Sequence, residues 1–231
     1  MRKLVIIPAR SGSKGLPGKN IKLLGEKPLI VHTINFALDI RVQNDIICVT
    51  TDDEKIFNIL QEYPSIRSVE RPESLATDSA GMNEVLLHAI EHFEKLGEFF
   101  DLILLLQPTS PLRQKIDYEN LARELDEESE IVVSVKESKS NPYFNLFEDD
   151  DDGFLKKSKD GAFFRRQDCP RVYEYNGSMY LSKVASLKKH GLHGMKKIKK
   201  SIMPDERSVD IDDLKDWLIA SHYYASQKIK T

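Results

Sequence analysis

Apolar runs rich in β-branched residues alternate along the chain with stretches in which apolar residues recur every three or four positions. The runs predict buried strands, and the spaced stretches predict amphipathic helices. Strands are predicted at residues 4–7, 45–51, 65–70, 101–106, 131–135 and 172–181, and helices at 28–40, around 56–60, and at 83–96, 116–125 and 213–226. This alternation predicts an α/β domain with a mostly parallel sheet, helices on both faces, and a ligand beyond the carboxyl ends of the strands.

The alternation of strands and helices breaks after the fifth predicted strand. Apolar patches with aromatic residues flank an acidic run that ends at Asp152 and Gly153, which predicts a β-hairpin with its turn at these two residues. Adjacent side chains on a turn point in different directions, so the acidic run is interpreted as a solvated hairpin tip rather than a metal site. The predicted organisation is a core domain at residues 1–136 and 176–231 with an inserted β-rich arm at residues 137–175.

The first predicted strand opens into a loop that mixes three glycines with three cations, Arg10, Lys14 and Lys19. Glycine lets the backbone approach phosphate oxygens and aim its N–H groups at them, while the cations neutralise the remaining charge. The loop has neither the spacing of a Walker A loop nor that of the dinucleotide-binding fingerprint. It therefore predicts a polyphosphate site of another kind, and the alternative is a basic turn with no chemical role.

Polar residues also follow the fourth predicted strand, where Gln107, Thr109 and Ser110 stand among prolines that force an extended path. Near the end of the chain, Asp210 and Asp212 are two positions apart, so on an extended segment both carboxylates face the same side. Two converging carboxylates beside phosphate oxygens make a hard-oxygen site suited to Mg²⁺. Capping of the last helix is the alternative role of this pair.

Composition and charge narrow the class of protein. The chain has 231 residues, of which 31% are charged and 40% hydrophobic, enough for one α/β domain with a sizeable core. A formal net charge of −3 gives no general attraction to nucleic acid or anionic lipid, and the lysines between residues 188 and 200 are interpreted as solvated surface. Neither a signal peptide nor a membrane span is evident, so a cytoplasmic protein with free thiols at Cys48 and Cys169 is expected.

Several short motifs resemble those of the acylneuraminate cytidylyltransferases, also called CMP-sialic acid synthetases. The first is Ile-Pro-Ala-Arg at residues 7–10, followed by Ser-Lys-Gly-Leu-Pro at 13–17 and Lys-Asn at 19–20. The others are Arg-Pro-x-x-Leu-Ala-x-Asp at 71–78, Leu-Gln-Pro-Thr-Ser-Pro-Leu-Arg at 106–113 and Asp-Ile-Asp at 210–212. Because these motifs span almost the whole chain, the resemblance implies a Rossmann-like domain of the nucleotide-diphospho-sugar transferase type.

The resemblance also implies a role for each motif residue. Nucleotide binding is implied for Ala9, Arg10, Ser11, Gly12, Lys14, Lys19, Asn20, Arg71 and Ser79. Binding of the sugar acid is implied for Gln107, Thr109, Ser110 and Arg166. A catalytic role is implied for Arg10, Lys19, Asp210 and Asp212, the last two as ligands of Mg²⁺.

The activity implied by the resemblance joins CTP to a 3-deoxy-nonulosonic acid, such as N-acetylneuraminate or legionaminate, and gives the CMP-nonulosonate and pyrophosphate. There are two alternatives. One is another sugar-acid nucleotidyltransferase, with a Kdo-like or pseudaminate substrate, and the other is a non-catalytic CMP-sugar-binding protein. Sialate-specific members have a lysine near the position of Phe144, whereas enzymes for legionaminate or pseudaminate have aromatic residues there.

The arm of the resembling family makes a homodimer by reaching over the active site of the partner subunit. By this resemblance, candidate interface residues are the aromatic side chains of the arm, namely Phe144, Phe147, Phe154, Phe163 and Phe164. CTP, a nonulosonic acid and a second copy of the chain are therefore the expected partners, with no nucleic acid and no membrane.

Overall fold

The computed structural model describes residues 1–12, 15–77 and 80–229, with side chains described as far as residue 226. Two of the predicted nucleotide contacts, Lys14 and Ser79, lie outside the described residues.

Strands and helices alternate along the described chain, as the hydrophobic pattern predicts. The strands are β1 (Lys3–Pro8), β2 (Leu23–Leu24), β3 (Lys27–Pro28), β4 (Ile46–Thr51), β5 (Arg67–Glu70), β6 (Leu102–Leu106), β7 (Ile131–Glu137), β8 (Phe147–Asp149), β9 (Leu155–Lys157), β10 (Tyr173–Lys183) and β11 (Ile198–Ile202). The helices are α1 (Leu29–Asp39), α2 (Glu54–Leu60), α3 (Met82–Glu94), α4 (Lys115–Arg123), α5 (Val184–Gly194) and α6 (Leu214–Ile229).

In the described part of the chain, seven strands form one sheet in the order β11-β7-β10-β6-β1-β4-β5. Neighbouring strands are parallel, except that β10 runs antiparallel to both β6 and β7. The central strand is β6, and all of its residues are buried. The predicted mostly parallel sheet is therefore confirmed.

Alternate residues of β1 point to opposite faces of the sheet and enter two different cores. Val5 and Ile7 pack in one core with residues of α1, α2 and α4. Leu4 and Ile6 pack in the other core with residues of α3 and α5. Helices thus cover both faces, as predicted, and the carboxyl ends of the strands stay open for loops.

The strands β6, β1 and β4 are consecutive in the sheet and parallel. The loops at their carboxyl ends therefore lie side by side. The loop after β4 is short and ends in a helix cap, in which the Asp53 side chain accepts the N–H of Lys55 at 2.9 Å. Asp is among the residues most favoured at this N-cap position. The longer loops after β1 and β6 contain the predicted site residues.

Two elements between residues 184 and 202 are missing from the sequence prediction. The helix α5 is interrupted at Gly191, whose φ of 67° and ψ of 168° are not helical, so its apolar spacing is irregular. The strand β11 lies at the edge of the sheet, where lysines such as Lys199 and Lys200 protect unpaired backbone groups from other chains. The lysines between residues 188 and 200, which were interpreted as solvated surface, therefore also belong to a helix and an edge strand.

The hairpin predicted in the arm is confirmed, because β8 and β9 pair antiparallel in a small sheet of their own. The Asp150 carboxylate accepts the N–H groups of Asp152 at 3.1 Å and Phe154 at 2.7 Å, and Gly153 turns the chain with a φ of 82°. The acidic side chains at the tip are exposed. The division into a core domain and an inserted arm stays a prediction.

Both cysteines are free thiols, as the sequence predicts. Cys48 is buried in β4, and burial raises the pKa of its thiol. No helix within the described residues is both long enough and apolar enough to span a lipid bilayer.

Candidate active site

A cavity of about 420 Å³ opens at the carboxyl ends of β1 and β6. Most of its lining side chains are polar or charged, and we call it the polar cavity. It is lined by Pro8, Arg10, Gly15, Lys19, Asn20, Arg71, Met82, Gln107, Pro108, Thr109, Asp210 and Asp212. The cavity therefore combines cations from the start of the chain with carboxylates from its end.

The loop after β1 is fixed at both of its ends by hydrogen bonds. The N–H of Ala9 donates to the Thr50 carbonyl at 3.0 Å, so this residue continues the sheet and is itself buried. The Asn20 side-chain amide donates to the Arg10 carbonyl at 3.2 Å, which ties the end of the loop to its beginning. The Arg10 guanidinium in turn donates to the Ala76 carbonyl at 3.4 Å. These bonds hold Arg10 in the cavity wall, where it faces the space that an anion could occupy.

Lys19 connects the first loop to the aspartate pair, almost two hundred residues later. Its ammonium donates to the Ile211 carbonyl at 2.8 Å and lies 3.3 Å from the Asp212 carboxylate. Gly15 packs so closely on the Asp212 carbonyl that a Cβ at this position would overlap it. Only glycine fits at this position, because any side chain would collide with the Asp212 carbonyl. The side chain of Asp212 is 80% exposed, so its carboxylate remains available to a ligand.

Asp210 lies deeper than Asp212, against the wall of the cavity. Its Oδ1 is buried and has no hydrogen-bond partner among the described residues. Burial raises the pKa of its carboxyl, and the nearby Asp212 carboxylate raises it further, while the Thr109 hydroxyl, Lys19 and Arg113 act in the opposite direction. A buried carboxylate oxygen with no donor is poorly stabilised unless a cation or a proton meets it. Asp210 and Asp212 are therefore suited to hold a divalent cation.

The loop after β6 presents Gln107 and Thr109 to the polar cavity. The guanidinium of Arg113 lies behind this loop, fully buried, and donates to the carbonyls of Gln107 and Ser110. Burial lowers the pKa of Arg113 to about 9, although Asp210 and Asp117 oppose that change. Arg113 was not among the predicted site residues, because its contribution is to shape the backbone of the loop.

Ser110 does not line the polar cavity, although the sequence predicts that it contacts the substrate. Its side chain is completely buried, and its hydroxyl donates to the Asn176 carbonyl at 3.3 Å. The extended path predicted between the two prolines is wrong: the segment is a turn, closed by the Ser110 N–H donating to the Gln107 carbonyl at 3.3 Å. This turn leaves Thr109 in the cavity wall and packs Ser110 behind it.

The remaining predicted nucleotide contacts divide into two groups. Arg71 lines the polar cavity, is buried, and donates to the Thr50 carbonyl at 2.9 Å; burial lowers the pKa of its guanidinium to about 10. Ser11 and Gly12 are exposed and do not line the cavity. Ser11 instead donates through both its amide and its hydroxyl to Asp52, at 2.9 and 2.6 Å.

Arg166 lies on the arm, in a short 3-10 turn, and does not line the polar cavity of its own chain. Its guanidinium is exposed, and one nitrogen donates to the Ser138 carbonyl at 3.4 Å. A single chain thus assembles the cavity without this arginine.

Asn176 and Gly177 are functional candidates that the site prediction did not include. The Asn176 carbonyl oxygen of the side chain accepts from the Ser134 hydroxyl at 2.7 Å, and its amide donates to the Ser208 hydroxyl at 2.9 Å. Asn176 therefore joins β7 and β10 to the segment that leads to Asp210. Gly177 has a φ of 69°, and a Cβ there would overlap the Asp210 carboxylate. The Asn-Gly dipeptide is a turn signal that could have indicated this site.

A mostly parallel sheet with a cavity of cations and carboxylates at its strand ends is typical of nucleotide-binding α/β proteins. The family profile described as "Cytidylyltransferase" matches residues 4–228. The chain belongs to this cytidylyltransferase family, and it is a nucleotidyltransferase by that membership.

Curated relatives support the same family. The chain is 32% identical over 222 residues to the CMP-N,N'-diacetyllegionaminic acid synthase of Legionella pneumophila, with 95% of this chain and 94% of that protein covered. It is 35% identical over 226 residues to the N-acylneuraminate cytidylyltransferase of Escherichia coli, with 94% of this chain but 51% of that protein covered. The chain therefore spans about half the length of the second relative. The predicted family is confirmed.

A solved structure of a CMP:2-keto-3-deoxy-manno-octonic acid synthetase complexed with CTP is similar in fold. Its TM-score is 0.67 at 17% sequence identity, and the match covers 98% of this chain and 100% of that one. A likeness at this level of identity supports the fold, and it agrees with the Rossmann-like sheet predicted from the sequence.

Proposed function

We propose that this protein joins CTP to a 3-deoxy-nonulosonic acid, giving the CMP-nonulosonate and pyrophosphate. In this reaction the anomeric hydroxyl oxygen of the sugar acid forms a bond to the α-phosphorus of CTP. The bond from that phosphorus to the bridging oxygen breaks, pyrophosphate leaves with its electron pair, and the hydroxyl proton is released. The observation that carries the proposal is the meeting of Lys19, Asp210 and Gln107 at one cavity of adequate size.

The cations of the polar cavity suit a triphosphate. Arg10 and Lys19 line it from the loop after β1 and Arg71 from the end of β5, so that a bound polyphosphate would meet positive charge from two segments. Arginine offers paired donors to phosphate oxygens, and lysine acts as a compact point charge. As pyrophosphate leaves, charge grows on its oxygens, and prepositioned cations stabilise that charge without reorganising. The role of Lys14 in the same loop rests on the family resemblance alone.

The aspartate pair suits Mg²⁺, which the proposal assigns to Asp210 and Asp212. The unpartnered, buried Oδ1 of Asp210 and the exposed carboxylate of Asp212 are hard-oxygen ligands of the kind that this ion prefers. No group of three or more His, Cys, Asp or Glu residues is arranged for a metal among the described residues, so phosphate oxygens would complete the coordination. When bound, the ion offsets negative charge on the triphosphate.

The sugar acid is assigned to the side of the cavity that Gln107 and Thr109 line. The amide of Gln107 can donate and accept, which suits the hydroxyl and carboxyl groups of a sugar acid. The names of the two curated relatives, a diacetyllegionaminate synthase and an acylneuraminate cytidylyltransferase, favour a nine-carbon acid with N-acyl groups.

Arg166 is assigned to a neighbouring subunit in a homodimer. Three of the five candidate aromatic side chains of the arm are exposed, Phe147 at 46%, Phe154 at 71% and Phe164 at 91%, and such residues often anchor interfaces. Phe144 and Phe163 are half-buried within the arm itself. In this arrangement the arm would bring Arg166 over the polar cavity of the partner subunit, where its guanidinium could hold the substrate carboxylate. Mixing inactive Arg166→Ala subunits with inactive Lys19→Gln subunits should then restore part of the activity, and an absence of any restoration would contradict the shared site.

Pyrophosphate release measures the proposed reaction directly. Purified protein is assayed with CTP, UTP, GTP or ATP and with N-acetylneuraminate, di-N-acetyllegionaminate, pseudaminate or Kdo, with and without Mg²⁺. The proposal expects release only with CTP, a nonulosonic acid and Mg²⁺ together. Release with Kdo alone would indicate an octulosonate enzyme, whereas tight CTP binding with no release from any sugar acid would indicate a non-catalytic binding protein.

A further inference from the structure

A buried ion pair joins the first turn of α4 to the segment that leads into the aspartate pair. Asp117 is 2% exposed, and its carboxylate accepts two N–H groups from the Arg207 guanidinium, each at 2.9 Å. Such a two-point contact between a guanidinium and a carboxylate fixes direction as well as distance. Arg207 ends the short 3-10 turn Asp205–Arg207, three residues before Asp210. The pair therefore attaches the approach to Asp210 to a helix that packs on the sheet.

The Asp117 carboxylate is also fixed by its own helix. It accepts the N–H of Gln114, the N-cap residue of α4, at 2.9 Å, so it cannot turn without opening the start of the helix. The preceding residue, Arg113, is the buried cation behind the loop after β6. Burial lowers the pKa of that guanidinium, and the nearby charges of Asp210 and Asp117 oppose the change. Cations and carboxylates therefore alternate in sign on the way from Arg207 to Asp210.

Two further bonds hold the aspartate segment after Arg207. The Ser208 hydroxyl accepts a side-chain N–H from β10 at 2.9 Å, and the Ile211 N–H donates to a carbonyl of the loop after β6 at 2.9 Å. Between these attachments, the buried Oδ1 of Asp210 has no hydrogen-bond partner among the described residues. The position of that oxygen therefore depends on the backbone on either side of it.

We propose that Asp117 and Arg207 are positioning residues for the divalent-cation site, because their ion pair fixes the backbone that presents Asp210 to the polar cavity. Neither member of the pair lines that cavity, so both act through Asp210 and not on a ligand directly. The assignment rests on the proposed function, since it needs Mg²⁺ at Asp210 and Asp212. Replacing a residue that orients a metal ligand commonly lowers metal affinity by about 10–100-fold.

A second buried ion pair provides the matched control. The Asp45 carboxylate is 1% exposed and accepts the backbone N–H of Lys3 at 3.0 Å, its ammonium at 2.6 Å and the Val42 N–H at 3.3 Å. Among the described residues, Asp45 and Asp117 thus each accept three hydrogen bonds and pair with one cation. Lys3 begins β1 and Asp45 precedes β4, so this pair lies at the amino ends of parallel strands. The polar cavity lies at their opposite ends.

The test measures metal binding rather than turnover. The complex of Mn²⁺ with CTP is titrated into the protein without a sugar acid, since Mn²⁺ prefers the same octahedral oxygen ligands as Mg²⁺. Binding is followed by the water proton relaxation rate, which rises when Mn²⁺ is held on a slowly tumbling protein. Calorimetry measures the binding of metal-free CTP in parallel. The two measurements separate an effect on the metal site from an effect on the nucleotide site.

Asp117→Asn and Arg207→Gln should each weaken binding of the Mn²⁺ complex by about 10-fold and leave binding of metal-free CTP unchanged. Arg207→Lys keeps the charge but loses the two-point contact, so it should weaken binding too. The double variant Asp117→Asn with Arg207→Gln should bind no more weakly than the worse single variant, because both changes remove the same pair. Asp45→Asn should lower the melting temperature but leave binding of the Mn²⁺ complex unchanged.

Arg207→Gln leaves the bond from Gln114 to Asp117 in place, so it keeps the test decisive if Asp117→Asn does not fold. The inference is overturned if the folded variants bind the Mn²⁺ complex as tightly as the unmodified protein. It is also overturned if Asp45→Asn weakens binding equally, because the loss would then reflect stability alone. Those results would leave the proposed metal site intact. No relaxation enhancement with the unmodified protein would instead refute the metal site of the proposed function, and this inference with it.

Discussion

Replacement of Gly177 by alanine tests whether the position of Asp210 controls catalysis. Gly177 has a φ of 69°, and a Cβ at this position would overlap the Asp210 carboxylate. Ordinary contacts of a Cβ atom begin at 3.4 Å, so the carboxylate must move by about 1 Å. Asp210 is half-buried beside Thr109 and Tyr180, with its Oδ1 shielded from solvent, so the carboxylate cannot rotate freely. The substitution therefore displaces one of the two proposed Mg²⁺ ligands without removing it.

Two separable effects are expected from Gly177→Ala. A left-handed backbone costs alanine about 1–2 kcal/mol of folding free energy. In a domain of this size, each kcal/mol lowers the melting temperature by about 2–4 °C. A displacement of reacting groups by about 1 Å can lower the rate by roughly 100-fold. Gly153 provides the matched control: its φ is 82°, but nothing lies within 4 Å of a Cβ built there, so alanine meets only the backbone cost.

The assay measures pyrophosphate release from CTP and a nonulosonate over a range of Mg²⁺ concentrations, with calorimetric melting in parallel. Both variants should melt at lower temperatures, but only Gly177→Ala should lose kcat and require more Mg²⁺. The reasoning is refuted if Gly177→Ala keeps the rate and the Mg²⁺ requirement of the unmodified protein. It is equally refuted if Gly153→Ala loses as much activity, because that loss could not arise at the cavity.

Three further predictions follow from the contacts of the polar cavity. Gly15→Ala forces the first loop away from the Asp212 carbonyl and should raise the KM for CTP, whereas Gly12→Ala, with open space around its Cβ, should leave that KM unchanged. Lys19→Gln removes the ammonium that bonds Ile211 and faces Asp212, and it should lower kcat by at least about 100-fold in the same pyrophosphate assay. Asp210→Asn should abolish activity yet raise the melting temperature of the metal-free protein at pH 7.

The sign of the last prediction follows from the pKa of Asp210. Burial raises the folded-state pKa of this carboxyl above its value in the unfolded chain. The contribution of this carboxyl to the free energy of unfolding is therefore complete below the unfolded pKa. It is lost as the pH rises through the folded pKa. Asparagine, which is always neutral, avoids that loss, so its advantage in melting temperature should shrink as the pH falls. An advantage that grows at low pH would contradict this account.

The remaining two predictions have simple contradicting outcomes. Equal KM values for CTP in Gly15→Ala and Gly12→Ala would mean that the contact with Asp212 does not shape the triphosphate site. A Lys19→Gln variant with an unchanged kcat would mean that this ammonium does not stabilise the leaving pyrophosphate.

Much of the fold could be predicted from the sequence because buried strands have distinctive apolar runs. The run that forms β6 predicts a central strand, and β6 lies in the centre of the sheet. Parallel strands bring their carboxyl ends together, so residue types at strand ends indicated Arg10 and Gln107 as cavity residues. Besides the two-residue strands β2 and β3, the elements missing from the prediction are α5 and β11, which have the patterns of an interrupted helix and a charged edge strand. Such segments resemble surface loops unless their neighbours are known.

Within the candidate site, the sequence indicated the side chains that face the cavity more readily than those that hold them. Lys19 and Asp210 have residue types and motif positions that indicate phosphate and metal binding. The buried groups Arg113 and Asn176 act through backbone carbonyls and hydroxyls of other segments, and such contacts leave no local signal. Ser110 shows the opposite mistake. Its motif, shared with Thr109, indicated a substrate contact, but its side chain is buried inside the protein.

The most direct test of the central claim is a ³¹P NMR measurement on the complete reaction. Protein, CTP, Mg²⁺ and an N-acetylated nonulosonic acid are incubated together, and the phosphorus resonances are followed over time. The account predicts equal growth of a CMP-sugar phosphodiester resonance and a pyrophosphate resonance as CTP is consumed, and neither in the Asp210→Asn variant. Unchanged CTP, or CTP consumed without a phosphodiester, would contradict the claim that this cavity joins the two substrates.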